Sequence, residues 1–143
     1  MVHEEKTLVE KVTAKHTIDM LIVRDPKGET EQSLKVNDYF RATTYLHAVL
    51  EYRGKLAIER KLKSEGRNVN SDLIDDLTLK EVAMMTYSMK LVEQPCYSAM
   101  IGLNKLRNSL VHFANFEEFY KAQGNEAKTT ITNAMKCLNA MPA

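Results

Sequence analysis

The sequence has no tryptophan, only two cysteines, and no apolar run that approaches membrane-spanning length. The last absence excludes a transmembrane helix. Cys96 and Cys137 have no CxxC or Cys/His companion spacing. That removes the usual zinc and thioredoxin-type signatures and leaves a disulfide between the two without support, so a reducing compartment is the simpler reading. The opening Met1-Val2-His3-Glu4-Glu5-Lys6 lacks the apolar core of a signal peptide, and the expectation is a cytoplasmic protein. There is also no excess of one charge. A net charge of +1 does not advertise broad phosphate binding, so a nucleic-acid partner would need a local patch.

The rest of the composition is that of an ordinary globular chain, 44% hydrophobic and 27% charged. A length of 143 residues suits one domain over 1–143, large enough to bury a core without a metal or disulfide to hold it. Eight methionines suit an adaptable core or interface.

Helical punctuation dominates. Residues 3–24 place Leu8, Val12, Ile18 and the Met20-Leu21-Ile22-Val23 run on a roughly helical period. Asp25-Pro26-Lys27-Gly28 reads as a turn. A second helix is expected from about Leu34 to Ser64, weakened or bent at Gly54 and ended by Gly66-Arg67-Asn68. Residues 71–77 read as a turn-rich link. Thr78-Leu79-Lys80-Glu81 is a capping-box pattern that opens a third helix through Val92. Pro95 suits the first turn of a fourth, running to about Phe113. Asn115-Phe116-Glu117-Glu118 predicts a short helix to Tyr120, stopped at Gln123-Gly124-Asn125, before a last helix with Ile131, Met135 and Leu138. No strand pattern or repeat intervenes. The class is all-α, an antiparallel bundle of four to five helices.

On the helix from Pro95, Leu103, Leu106, Leu110 and Phe113 recur at spacings of three, four and three, a core-facing seam. Asn104, Asn108 and His112 are four apart and share another stripe. Arg107 lies beside it, and Asn115 continues it past the helix end. Solvated helix faces are normally built of Glu and Lys. This one offers amides, a guanidinium and an imidazole, which suit a phosphodiester: Arg supplies a planar fork of donors, and His moves protons near neutral pH. Five residues turn a straight helix by about 140°, so Arg107 and His112 do not share a face by spacing alone. An outward stripe is also not expected to form a pocket within one bundle.

Arg107-Asn108-Ser109-Leu110-Val111-His112 resembles the Arg-Asn-x-x-x-His motif of the HEPN family (higher eukaryote and prokaryote nucleotide-binding domains). The resemblance in residues covers about six positions. It implies a helical bundle, a two-fold homodimer that brings two copies of the motif to one cleft, and metal-independent cleavage of RNA by attack of the 2′-OH. No cofactor or metal is implied, and no HExxH or carboxylate-rich metal pattern is present. By that resemblance His112 is general base or acid and Arg107 stabilises phosphoryl charge. Asn108 orients His112 or donates to phosphate, and Asn104 and Asn115 are candidate substrate contacts. Such proteins serve as toxins or defence effectors, so an antitoxin or regulatory partner belongs to the same expectation. One toxin subfamily carries a modified Tyr two residues after the His; here that position is Ala114. The alternative is a non-catalytic HEPN-like module that binds nucleotide, RNA or a protein.

Two other features carry weaker signals. Arg41 and His47 repeat the loose motif, but the spacing splits them across a helix, and they read as surface and core edge. Arg53, Lys55, Arg60, Lys61, Lys63 and Arg67, interleaved with Glu51, Glu59 and Glu65, read as a salt-bridged solvent face, with an RNA-backbone surface as the sharper alternative.

Overall fold

The structure, a computed structural model, describes the backbone of residues 25–112 and 116–142 and the side chains of 25–110 and 124–142. The expected helix over 3–24 lies outside the described residues. Within them every regular element is helical: α1 (Pro26–Lys35), α2 (Tyr39–Ser64), α3 (Ser71–Asp75), α4 (Leu79–Ser88), α5 (Gln94–His112), α6 (Phe116–Met135) and α7 (Cys137–Ala140).

Several boundaries differ from expectation. The Asp25–Gly28 stretch is the start of α1 rather than a turn, because Pro26 takes the first helical position, where its fixed φ suits the helix and its missing N–H costs nothing. The second helix begins at Tyr39, after Asn37 turns the chain with φ of 55° and Asp38 caps the Arg41 N–H at 3.0 Å. Gly124 does not stop a helix: α6 runs through it unbroken. One glycine costs about 1 kcal/mol of helix propensity, and the buried Ala127, Ile131 and Ala134 on the same element offset it by packing.

Other signals act as their chemistry predicts. α2 ends where Gly66 adopts φ of 73°, with Gly66 N–H on the Lys63 carbonyl and Arg67 N–H on that of Leu62, at 3.0 and 3.1 Å. This pairing is a Schellman termination. The Thr78–Glu81 box is closed in both directions, with Glu81 N–H on Thr78 Oγ1 at 3.2 Å and Thr78 N–H on Glu81 Oε1 at 3.1 Å. The helix it opens stops at Ser88 rather than Val92, since Lys90 takes a left-handed φ of 60°. The 71–77 link contains the single turn α3, capped by Asn70.

α2 is central, packing on α1, α3, α4, α5 and α6. Its Ala42, Leu46, Val49 and Leu50 meet Leu79 and Ala83 of α4, Met100 and Leu103 of α5, and Ile131 and Ala134 of α6 in one core. Each buried Leu contributes about 2–3 kcal/mol relative to exposure. Of the predicted seam on α5, Leu103 and Leu110 are fully buried and Leu106 packs at the core edge; Phe113 lies outside the described residues. α5 and α6 run antiparallel, with Cys96 near the start of α5 joined by a disulfide to Cys137 just past the end of α6, Cα atoms 5.3 Å apart. The pairing, possible from the sequence but unsupported by it, overturns the simpler reading of a reducing compartment. Only the antiparallel packing of two helices brings residues 41 positions apart to bonding distance.

Candidate functional site

Three of the predicted site residues converge. Asn104, Arg107 and Asn108 project from the last turns of α5 into a cleft of about 600 Å³. Its other walls are His47 and Glu51 of α2 and the stretch from Asp75 to Lys80 that leads from α3 into α4. The expectation that this stripe makes no pocket within one chain is therefore corrected. α2 and the 75–80 stretch rise beside α5 and turn an outward face into the side of a groove.

Arg107 and Asn108 are exposed, and Asn104 is half-buried. Arg107 Nη1 donates to Asn108 Oδ1 at 3.4 Å. The guanidinium and the amide thus sit together although neighbouring helix positions point about 100° apart. Arg107 reaches round the helix by its own length. His112 is the last residue of α5, one turn beyond Asn108. Its side chain, and the whole of Asn115, lie outside the described residues.

The cleft contains a histidine that motif spacing does not assign to it. His47 is 8% exposed and its Nε2 is 3.2 Å from Asn104 Oδ1. On its other side Nδ1 is 3.8 Å from Glu51 Oε2. Glu51 Oε1 accepts from Lys55 Nζ at 3.0 Å, and Lys55 also donates to the Asp75 carbonyl at 2.5 Å. Hydrogen bonds therefore link Asn104 on α5 to His47, and Glu51 through Lys55 to the end of α3, with His47 and Glu51 adjacent but not bonded. Burial lowers the His47 pKa below its ordinary value, and the nearby Arg107 adds to the shift; the hydrogen bond with Asn104 and the Glu51 carboxylate act the other way. The neutral ring wins because desolvation opposes a second cation beside Arg107.

Arg41 is exposed and does not line the cleft, so the Arg41/His47 pair is split as expected. The signal for His47 was a histidine in phase with the buried Thr43 and Leu50, followed one turn later by a carboxylate. Its partner Asn104 is 57 positions away, a distance that helical periodicity cannot bridge.

The basic stretch that begins on α2 is partly paired. Lys63 pairs with Glu59 at 2.8 Å, Lys61 and Arg67 with Glu65 at 3.5 and 3.4 Å, and Arg53 donates inward to the Leu138 carbonyl at 3.4 Å. The salt-bridged reading of that face describes it. Among the described residues no three His, Cys, Asp or Glu side chains are grouped to hold a metal ion, and no helix is long and apolar enough to cross a membrane.

Comparison of the chain with protein-family models, curated proteins and solved structures gives no match.

Proposed function

We propose that this chain is a metal-independent endoribonuclease of the HEPN type. In this reading it is a four- to five-helix antiparallel bundle that works as a two-fold homodimer; the Cys96–Cys137 bridge removes the argument for a reducing cytoplasm. Its role would be that of a toxin or defence effector held by a regulatory partner. The observation that carries the reading is the exposed Arg107–Asn108 pair in a cleft, on the helix that ends at His112.

The chemistry follows from the groups. The RNA 2′-oxygen bonds to phosphorus as its proton passes to a base, and the P–O5′ bond breaks as the leaving oxygen takes up a proton. The products are a 2′,3′-cyclic phosphate and a 5′-OH. Imidazole suits both transfers near neutral pH, and two copies of His112 at a two-fold cleft would serve one end each. Arg107 answers the charge gathering on the phosphoryl oxygens with paired donors, and Asn108 holds the guanidinium or the phosphate.

A non-catalytic binding module is the second reading. It is favoured by the Asp75–Asp76 wall of the cleft, which weakens attraction for RNA phosphate.

Purified protein incubated with single-stranded RNA in EDTA separates the two. Cleavage to cyclic-phosphate ends is expected, falling roughly 10²–10⁴-fold in His112→Ala. Arg107→Lys, which lacks the planar fork, should also be impaired. RNA with a 2′-deoxy sugar at the cleavage site should resist cutting. Cleavage that persists unchanged in His112→Ala would identify a contaminant and leave the binding module.

A further inference from the structure

We propose that His47 is a positioning residue of the Arg107–Asn108 site: it holds the Asn104 side chain so that its amide nitrogen faces substrate phosphate. The proposal rests on the ribonuclease reading and adds a residue from a different helix to it.

Three observations carry it. First, His47 Nε2 and Asn104 Oδ1 are 3.2 Å apart across the α2–α5 contact. An amide oxygen can only accept, so the ring must donate from Nε2. With its oxygen committed to His47, Asn104 has only its two N–H donors left to offer the cleft. Second, the ring itself is 8% exposed, too deep to meet a polymeric substrate, whereas Asn104 is half-exposed in the cleft beside Arg107 and Asn108. His47 therefore acts through Asn104. Third, burial in the α2–α5 contact fixes the ring, with no second hydrogen bond: Glu51 lies 3.8 Å from the acceptor Nδ1, beyond hydrogen-bond reach, and is paired instead with Lys55 at 3.0 Å.

The consequence is a row of donors along one wall of the cleft, made of the Asn104 amide, the Arg107 guanidinium and the Asn108 amide. Phosphate oxygens accept only, and an amide free to flip would present its own oxygen to them half the time. Fixing the flip removes that repulsive state before RNA arrives, which is how a supporting hydrogen bond raises affinity without touching the ligand.

The test uses His47→Leu, which removes the donor, and His47→Gln, whose amide nitrogen reaches about as far as Nε2 and restores it. Both are assayed in EDTA for cleavage, and for affinity toward a 2′-deoxy oligonucleotide, alongside Asn104→Ala, the double variant His47→Leu/Asn104→Ala, and His112→Ala. Thermal unfolding is measured on each. The expected result is a loss of roughly 3–10-fold in oligonucleotide affinity and in kcat/KM for His47→Leu, the range of one neutral hydrogen bond. KM should carry most of the change, His47→Gln should recover most of it, and His47→Leu should add nothing in the Asn104→Ala background. A merely structural role would lower the unfolding temperature without that split and would add to Asn104→Ala. If wild-type protein cleaves and His112→Ala does not, yet His47→Leu equals wild type or is additive with Asn104→Ala, the proposal fails alone. If wild-type protein neither cleaves nor binds, the ribonuclease reading fails and takes this one with it.

Discussion

At the residue scale the notable group is a neutral imidazole in the wall of a polar cleft. His47 illustrates how burial and charge set a protonation state together: desolvation and Arg107 favour the neutral ring, Glu51 and Asn104 the charged one, and desolvation is largest. Linkage gives this a sign. The folded pKa lies below the 6.5 of a free imidazole, so as pH falls through 6.5 the unfolded chain takes up the proton first. Stability then declines until the folded state is protonated as well. Urea unfolding of wild type and His47→Gln between pH 7.5 and 5 (about the range in which free imidazole titrates) checks it. Wild type should lose stability relative to the variant on the acid side, and parallel curves would contradict the assignment.

At the element scale, close packing depends on a glycine that propensity alone would call a defect. Gly54 is buried within α2, and a Cβ built there would overlap Val82 Cγ1 of α4. Val is held to one strongly preferred rotamer in a helix, so it cannot move aside cheaply. An exposed helical Gly→Ala change gains about 1 kcal/mol. Gly54→Ala should instead lose about 1–3 kcal/mol by overpacking, read as a lower unfolding temperature. The same scale contains the Cys96–Cys137 bridge, which ties the start of α5 to the residue that follows Lys136 beyond the end of α6. Chain-entropy arguments place its contribution near 4 kcal/mol at most for a loop of this length. Added reductant should lower the unfolding temperature of wild type but not of Cys96→Ser/Cys137→Ser, and equal unfolding temperatures with and without reductant would exclude a formed bridge.

At the scale of the whole molecule, the proposed function needs a second copy. Lys105, Arg107 and Asn108 are exposed on the C-terminal half of α5. A two-fold axis beside this half would bring the two motifs to one cleft, since a residue near such an axis meets its own copy. Light scattering at micromolar concentration should give twice the 16.3 kDa chain mass. Mixing His112→Ala with Arg107→Ala protein should then restore part of the cleavage if each active cleft draws on both chains. A monomer that still cleaves RNA would remove the dimer from the proposal.

Local chemistry was enough to establish the helical class and much of its punctuation: the Thr78–Glu81 box, the Gly66 termination and Pro95 in the first turn of α5. These signals act within four or five residues, through backbone groups that the same stretch of chain must satisfy. The leucine seam was legible for the same reason, because helical period alone puts Leu103 and Leu110 on one face. Where two local readings compete, or packing competes with a local signal, the sequence misleads. Pro26 suits the first position of a helix as well as it suits a turn, and Gly124 is carried through α6 by the apolar residues that follow it. The site divides in the same way. Asn104, Arg107 and Asn108 were readable as an unusual polar stripe, whereas their place in a groove, the His47–Asn104 bond and the Cys96–Cys137 pairing came only with the fold. The disulfide and the His47–Asn104 bond join residues 41 and 57 positions apart, and the groove draws on three separate stretches of chain; no helical period reaches that far, and such contacts are decided by which helices pack together.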